Sequence, residues 1–289
     1  MFTIENDELA INFNSKGAEL QNIYNKQTKL EYMWSGDPNF WGKKSPILFP
    51  IVGTLKNDTY YYNGKPYKLS RHGFAREAEF EAENNKKDSI TFLLRSNPTT
   101  LQNFPFEFEL RIIYSLLENS LRVNYEVKNT SVNEMYFSIG GHPAFKVPLK
   151  EDENYNDYYL EFNEEETKPR WPISKDGLIE TVPEPLLQQT NVLPLSKELF
   201  LKDAIVLKNL TSSIVTLRTD KSSHAIDFDF GDFPYLGIWA AKNADFVCIE
   251  PWCGIADGVD SNQQLVDKEG INQLHAGSIF QRSWIARFY

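Results

Sequence analysis

His142 has the sequence surroundings best suited to proton transfer among the four histidines of the chain. It lies in the segment SIGGHPAF, where two glycines precede it and a proline follows it. Gly140 and Gly141 allow a second backbone or a ligand to approach closely. Pro143 favours an extended conformation at His142 and ends the strand. A histidine held in this way could act as an acid or a base near neutral pH. The alternative is a turn histidine that is hydrogen-bonded to the backbone.

Glu250, in the segment DFVCIEPWCG, is the second candidate for acid–base chemistry. Phe246, Cys248 and Glu250 have the two-residue spacing that places side chains on one face of a strand. A carboxylate at the end of this apolar row would be desolvated, which raises its pKa and makes it a stronger base. The alternative is a glutamate at the end of a strand whose carboxylate reaches solvent.

A third cluster lies in SRHGFARE, where Arg71, His72 and Arg76 surround Gly73-Phe74. Guanidinium groups donate hydrogen bonds in a rigid fork, so with the aromatic ring they could cradle a sugar or an anion. The alternative is a loop with its charges in water. The upstream segment WGKKSPILFP adds two further cations just before an apolar run, Lys43 and Lys44.

The other candidate chemistries have weaker support. His224 is on the apolar face of an alternating strand, which predicts a core histidine, and His275 precedes a glycine turn. The chain has no GxGxxG, GxxxxGK[ST], GxSxG or HExxH motif. Cys248 and Cys253 lack the spacing of a zinc site, so we expect no metal site. Asp227 and Asp229 alternate with phenylalanines, which predicts that they lie on the solvent-exposed face of a strand.

The elements that must position these residues are predicted to be strands. Alternating, β-branched or aromatic-rich segments indicate strands over Glu8–Asn14, Ser89–Arg95, Phe106–Leu117, Ser120–Lys128, Ser223–Phe230 and Phe280–Tyr289. No segment of twelve residues has a helical period, so helix should stay below about 15%, as single turns around Leu195–Leu201 and Gly254–Val259. We therefore predict one all-β domain over residues 1–289, an antiparallel sandwich. Long loops are expected over Val147–Leu199.

Composition and charge exclude several classes of partner. The net charge is −10, and eight acidic residues lie in Glu151–Thr167, which we expect to be a solvated segment. Because there is no stripe of Lys or Arg, we expect no nucleic-acid partner. No apolar run approaches the ~18 residues of a membrane helix, and no signal peptide is readable, so no membrane association is expected. Two cysteines in 289 residues favour a reducing compartment, and we expect a cytoplasmic protein.

Three segments, taken in order, resemble motifs of the aldose 1-epimerase (galactose mutarotase) superfamily. RHGFAR, which begins at Arg71, resembles the HGFAR motif of the hexose-phosphate epimerase-like branch. GGHPAF around His142 is similar to the segment that carries the family's catalytic histidine. VCIEP around Glu250 is similar to the segment that carries its catalytic glutamate. The resemblance extends over nearly the whole chain and is greatest to shorter bacterial members, some of them associated with lactose genes.

The resemblance implies a fold and a set of roles. The fold is a large antiparallel β-supersandwich of the galactose mutarotase type with a sugar cleft on its concave face. His142 would be the general acid and Glu250 the general base, while His72 and Arg76 would contact the substrate. Asp203, in LKDAIVLK, resembles a family aspartate that binds sugar hydroxyls.

Two positions bear on whether the substrate carries a phosphate. Phosphate-using relatives have an arginine where this chain has Lys44 and a glutamine where it has Arg71, and both residues are further candidates for substrate binding. Because of these departures we expect a free hexose. In that case Arg76 alone would line the site, and Lys43 and Lys44 would point into water.

The function implied is interconversion of the α and β anomers of a hexose. A base removes the proton of the C1 hydroxyl while an acid protonates the ring oxygen, and the opened sugar recloses on its other face. His142 and Glu250 should then face each other across one cleft, several ångströms apart. We expect a small sugar as the partner, no cofactor, and a monomer or homodimer.

Three alternatives remain at this point. The first is a hexose-6-phosphate 1-epimerase, and the second is a carbohydrate-binding protein of the same fold without activity. The third is a glycoside hydrolase or lyase, which would usually use two carboxylates.

Overall fold

The structure is a computed structural model that describes residues 1–289 and contains 23 strands. The first eleven, β1 to β11, are Phe2–Glu5, Leu9–Phe13, Leu20–Asn25, Leu30–Glu31, Ile47–Leu48, Thr59–Tyr62, Lys65–Lys68, Glu81–Asn85, Ser89–Arg95, Phe108–Leu117 and Ser120–Asn129. The remaining twelve, β12 to β23, are Met135–Phe137, Ile139–Gly141, Ala144–Lys146, Tyr158–Arg170, Glu184–Pro194, Ile205–Lys208, Ile214–Thr219, Ala225–Asp229, Tyr235–Trp239, Phe246–Cys253, Asn272–Leu274 and Ile279–Phe288.

Helix is confined to short pieces. The α-helix α1 covers Pro98–Asn103, and single 3-10 turns occur at Lys56–Asp58, Ala75–Glu77, Tyr155–Asp157, Lys197–Phe200 and Leu265–Asp267. Strand accounts for 49% of the residues and helix for 8%, so the predicted low helix content is confirmed. None of the helices has both the length and the apolar character needed to cross a membrane.

The strands form antiparallel sheets, which confirms the predicted all-β supersandwich. The largest sheet has nine strands in the order β16-β15-β18-β19-β23-β11-β10-β9-β8. A second sheet has the order β17-β20-β21-β13-β5, with β14 also paired to β21, and a third has the order β1-β2-β3-β4. Every pairing between the named strands is antiparallel. β10 and β11 form a hairpin and pair along their whole length around Glu118-Asn119.

The nine-stranded sheet packs directly behind the sheet that contains β13 and β21. Trp284 on β23 donates its indole N–H to the Tyr125 hydroxyl on β11 at 2.7 Å, and both side chains are buried. The backbone of Gly141 lies against these two groups so closely that a Cβ there would collide with them. Phe145 and Phe228 meet across the same interface with ring centroids 5.8 Å apart. These contacts fix the position of β13, and of His142 directly after it, relative to the nine-stranded sheet.

The long loops predicted over Val147–Leu199 are wrong, because β15 and β16 form a hairpin there. Tyr158, Leu160 and Phe162 of β15 are buried, so half of the acidic segment is sheet rather than solvated chain. Glu166 is also buried and accepts hydrogen bonds from the backbone N–H groups of Thr211 and Ser212. Register shifts along the hairpin interrupt the alternation that marks a strand in sequence.

Two smaller predictions are also wrong. Gly254–Val259 contains no helical turn, because its backbone groups pair with distant segments: Asp257 N–H with Thr54 O, and Asp257 O with Ile179 N–H. His224 is not a core residue; it precedes β19, is only half-buried, and its Nδ1 lies 3.1 Å from the Tyr289 carbonyl oxygen. The predicted turn at Leu195–Leu201 is present as Lys197–Phe200.

Candidate active site

Six of the seven predicted site residues line one cavity of about 420 Å³. They come from four separate segments of the chain: Arg71, His72, Arg76, His142, Asp203 and Glu250. The floor belongs to the sheet of β17, β20, β21 and β13, and the rim belongs to loops on either side of that sheet. The seventh predicted residue, Lys44, lies outside the cavity.

Strand pairing brings His142 and Glu250 together. Gly140 on β13 pairs with Trp252 on β21, and the Pro143 carbonyl accepts the Ile249 N–H, so the two strands run side by side past His142. His142 Nε2 lies 3.3 Å from Glu250 Oε1. The predicted separation of several ångströms is therefore wrong. The ring oxygen and the anomeric hydroxyl oxygen of a sugar are bonded to the same carbon, so an acid and a base this close to each other still reach both.

Burial controls the protonation of this pair. Desolvation lowers the pKa of His142 to about 3 and raises the pKa of Glu250 well above its ordinary value, while the Arg71 guanidinium opposes the shift at Glu250. Neutral imidazole and protonated carboxyl are thus the favoured forms of this pair. Glu250 Oε2 and His142 Nδ1 are buried without a hydrogen-bond partner, which marks a place where a polar ligand could be accommodated.

His72 sits in a strained loop conformation. Its φ is +69°, a left-handed value that is costly for a residue with a side chain. Gly53 N–H donates to His72 Nδ1 at 3.1 Å, and His72 N–H donates to Gly53 O at 2.9 Å, so the two segments are reciprocally paired. With Nδ1 acting as an acceptor, the neutral ring carries its proton on Nε2. Burial, followed by the nearby His142 and the two arginines, lowers the pKa of His72 and keeps it neutral.

Arg71 and Asp203 form a bidentate pair at the mouth of the cavity. Arg71 Nη2 is 3.2 Å from Asp203 Oδ1, and Nη1 is 3.4 Å from Oδ2. Asp203 also has a left-handed φ of +79°, and its Oδ1 accepts the Ala204 N–H at 2.7 Å. Arg76 lies on the Ala75–Glu77 turn, and its Nε is buried without a partner. Two guanidinium groups therefore line the cavity. Both were candidates from sequence, although the expectation of a free hexose had placed only that of Arg76 there.

Neither lysine of the upstream segment reaches the cavity, which corrects the prediction that Lys44 binds substrate. The Lys44 ammonium donates to the Gln21 carbonyl at 2.8 Å, and its backbone N–H donates to Glu19 Oε1 at 2.8 Å. Its stem packs against Gly36, where a Cβ would lie 2.9 Å from Lys44 Cε. Lys43 forms an ion pair with Glu77 at 2.8 Å. Both ammonium groups therefore contact other protein groups, rather than pointing into water as the sequence interpretation expected.

Aromatic and aliphatic side chains form the cavity walls. Trp41 and Trp239 both line it. Sequence reasoning missed Trp252, although it lies two residues beyond Glu250 on the same strand and so shares its face. Gly237 on β20 leaves room for that indole, because a Cβ there would collide with the Trp252 ring. Sequence reasoning also missed the contribution of residues 173–179, because it placed them in a long loop and named no site residue there.

The arrangement supplies a proton donor and acceptor in contact, two guanidiniums, a carboxylate and apolar walls. Such a set can bind a polyhydroxylated ring and move protons on it. The cluster His142, Cys248 and Glu250 also offers three donor atoms within 4.8 Å of one another, a spacing near that of metal ligands.

Comparison with known proteins identifies relatives over nearly the whole chain. The family model described as aldose 1-epimerase matches residues 1–265. The chromosomal and plasmid LacX proteins of Lactococcus lactis subsp. lactis are each 38% identical over 281 residues, covering 94% of this chain and 93% of their own.

Solved structures agree with the family match. A galactose mutarotase related enzyme from Lactobacillus acidophilus is 40% identical, covers 100% of this chain and 97% of its own, and has a TM-score of 0.94. A galactose mutarotase-like protein from Lactobacillus casei is 34% identical with full coverage of both chains and the same TM-score of 0.94. The fold is therefore of the galactose mutarotase type.

Proposed function

The chain belongs to the aldose 1-epimerase family, and from that premise we propose that it interconverts the α and β anomers of a free hexose. The observation that carries this proposal is the buried contact of 3.3 Å between His142 and Glu250 at the base of a cavity. The reaction is redox-neutral and needs only proton transfers, and in the favoured forms the Glu250 carboxyl carries a proton that the neighbouring neutral imidazole can accept.

Glu250 acts as the general base and His142 as the general acid. Transfer of the shared proton from Glu250 to His142 gives a carboxylate beside an imidazolium. The carboxylate takes the proton of the C1 hydroxyl as the imidazolium protonates the ring oxygen, and the C1–O bond of the ring breaks. Rotation about C1–C2 and the reverse proton transfers close the other anomer. Each positioned proton transfer contributes typically 10²–10⁴-fold to the rate.

The other cavity residues orient the sugar. Arg71, Arg76 and Asp203 supply donors and acceptors for hydroxyl groups, and His72 supplies a neutral ring N–H. Arg71 also stabilises the carboxylate form of Glu250, because its positive charge lowers the Glu250 pKa against the effect of burial. Trp41, Trp239 and Trp252 give the apolar C–H face of the ring a surface to lie on.

The test of the general base is the Glu250→Gln variant. Turnover should fall by on the order of 10²-fold or more, while sugar binding changes much less because the amide keeps the shape. Anomer exchange over a panel of sugars, measured by polarimetry and NMR exchange, gives turnover, and calorimetry gives binding. The matched control is Glu166→Gln, a buried carboxylate outside the cavity whose amide oxygen can still accept from Thr211 and Ser212.

Unchanged turnover in Glu250→Gln would remove Glu250 from the mechanism. Sugar binding by the wild-type protein without any anomer exchange would instead establish the second candidate from sequence, a carbohydrate-binding protein without activity.

A hexose 6-phosphate is the second candidate substrate, because both Arg71 and Arg76 line the cavity. Charge-assisted hydrogen bonds from two guanidiniums would hold a phosphate. We favour the free hexose because Arg71 is already paired with Asp203 and both lysines are engaged elsewhere.

The deciding measurement compares kcat/KM for glucose and galactose with that for their 6-phosphates at low and moderate salt. A neutral-sugar preference indifferent to salt is expected. A phosphate preference that collapses as salt rises would overturn the choice, since attraction between exposed charges is screened beyond ~10 Å at 0.1 M.

A further inference from the structure

Cys248 lies beside the His142–Glu250 pair and is fully buried. The ring nitrogen of His142, the Cys248 sulfur and a Glu250 carboxylate oxygen all lie within 4.8 Å of one another. We propose that these three side chains form a binding site for a thiophilic divalent cation such as Zn²⁺. This site is independent of the proposed function, because it rests on the donor atoms and not on turnover.

The geometry is close to what a tetrahedral ion requires. Two nitrogen or oxygen ligands at 2.0–2.2 Å from a tetrahedral Zn²⁺ are about 3.3–3.5 Å apart, and His142 Nε2 and Glu250 Oε1 are already 3.3 Å apart. Cys248 and Glu250 are two residues apart on β21, which aims both side chains to one side of the sheet. A shift of about 1 Å in the thiol brings the third donor to ligand distance.

The site also has unmet hydrogen-bonding capacity. Glu250 Oε2 and His142 Nδ1 are buried and have no hydrogen-bond partner, and the Glu250 side chain is 2% exposed. Buried polar atoms without partners are uncommon in folded proteins, so the unpartnered Glu250 Oε2 is a second carboxylate oxygen that a bound cation can engage beside Oε1. His142 and Glu250 face the cavity, which leaves a fourth coordination position open to water.

The donor set selects the kind of ion. One thiolate, one imidazole and one carboxylate suit Zn²⁺ and Co²⁺, whereas Mg²⁺ and Ca²⁺ prefer oxygen ligands alone. Binding releases the Cys248 thiol proton and the proton of the His142–Glu250 pair to solvent. Because the ion occupies both proton-transfer groups, the metal-bound protein does not catalyse anomer exchange.

Co²⁺ is the probe, added without oxygen to the full-length protein. A sulfur-to-cobalt charge-transfer band in the near ultraviolet, saturating at one Co²⁺ per chain and displaced by Zn²⁺, is the expected result. Cys248→Ser and Cys248→Ala should each lose the band and weaken Zn²⁺ binding by more than about tenfold, the lower end of what loss of even a second-shell partner costs. The matched control is Cys253→Ser, at the other buried cysteine of β21. This variant should keep both the charge-transfer band and the wild-type affinity for Zn²⁺.

A measurement on the wild-type protein avoids reliance on the folding of any variant. X-ray absorption at the zinc edge should show one sulfur at about 2.3 Å and nitrogen or oxygen ligands at about 2.0–2.2 Å. Absence of the sulfur overturns the proposal. So does a charge-transfer band that persists in both Cys248 variants, or binding that resides at the exposed pair of His275 and Glu134.

Activity separates this proposal from the proposed function. With both correct, Zn²⁺ inhibits anomer exchange by the wild-type protein and leaves Cys248→Ser active. If the protein binds metal with the expected spectrum but the metal-free protein shows no anomer exchange, the metal-site proposal stands and the proposed enzymatic function is rejected. Activity without the charge-transfer band keeps the enzyme and rejects the metal site.

Discussion

The orientation of the His142 ring depends on three neighbouring rings. Trp41 stacks on it with centroids 4.9 Å apart and an interplanar angle of 30°. Trp239 and His72 meet it edge-on at 5.6 and 5.7 Å. These contacts also account for the desolvation of the imidazole, because they replace water on three sides. His142 is therefore held by packing as well as by the strand end that precedes it.

Trp41→Ala should lower kcat/KM for anomer exchange by about 2- to 10-fold, because a stacked aromatic pair is worth ~0.5–1.5 kcal/mol beyond its buried area. Trp41→Phe should retain most of the activity, since a smaller ring can still stack. Steady-state polarimetry gives both values. The control is Trp171→Ala, a tryptophan outside the cavity whose ring lies under Lys208. Equal losses in Trp41→Ala and Trp171→Ala would show that the effect is one of stability rather than of ring position.

At the scale of elements, the Ala75–Glu77 turn presents Arg76 and is fastened to two other segments by Glu77. Its carboxylate lies 2.8 Å from the Lys16 ammonium and 2.8 Å from the Lys43 ammonium. These two hydrogen-bonded charges lower the pKa of Glu77 to about 2. The turn that carries a cavity guanidinium is thus tied to the β2–β3 loop and to the chain just before β5.

This pKa predicts how the free energy of unfolding depends on pH. The folded-state pKa lies below the ordinary value of 4.5, so Glu77 contributes stability above pH 4.5 and loses it as the pH falls through about 2. The difference in unfolding free energy between wild type and Glu77→Gln should be constant from pH 7 to 5 and shrink steadily below that. Urea unfolding at a series of pH values measures it. The control is Glu165→Gln, at an exposed position on β15. A difference in unfolding free energy between wild type and Glu77→Gln that does not change with pH would contradict the lowered pKa of Glu77.

The strands could be predicted from the sequence where one face of the strand is buried and the other is exposed to solvent. The β10–β11 hairpin buries alternate residues, and its alternation is visible in the sequence. The β15–β16 hairpin was missed because much of it is exposed and its pairing register shifts. Its hydrophobic residues therefore do not recur at every second position, as they do in a strand with one buried face. Edge hairpins of this kind are stabilised by backbone pairing, which leaves little trace in side-chain pattern.

At the scale of the whole molecule, one apolar cluster joins both ends of the chain. It contains 69 buried residues, from Ile4 on β1 to Phe288 on β23. A smaller cluster of 8 residues lies around the cavity and includes Trp252 and Val206. A core shared by the first and last strands supports the proposal that residues 1–289 fold as one domain.

One domain should give one unfolding transition. Tryptophan fluorescence and far-ultraviolet circular dichroism are expected to report the same urea midpoint, because no part of the larger cluster can unfold without exposing the rest. Trp284 in the nine-stranded sheet and Trp252 beside the cavity report on different regions of the fold. Two separated midpoints would instead indicate two folding units.

The sequence by itself determined which residues are candidates and what kind of fold carries them. Glycine and proline around His142, and the apolar row that ends at Glu250, are local signals because they depend only on backbone preference and strand period. Two-residue alternation likewise determined the all-β class.

Only the tertiary structure decided the distances between those residues. The contact between His142 and Glu250, the approach of Cys248 to both, and the position of Lys44 outside the cavity depend on which strands pair and in which register. Register follows from contacts between segments far apart in the chain, such as Gly140 with Trp252. The sum of such contacts, and not any local pattern, decides whether a side chain lines the cavity, as Glu250 does, or contacts a backbone carbonyl outside it, as Lys44 does.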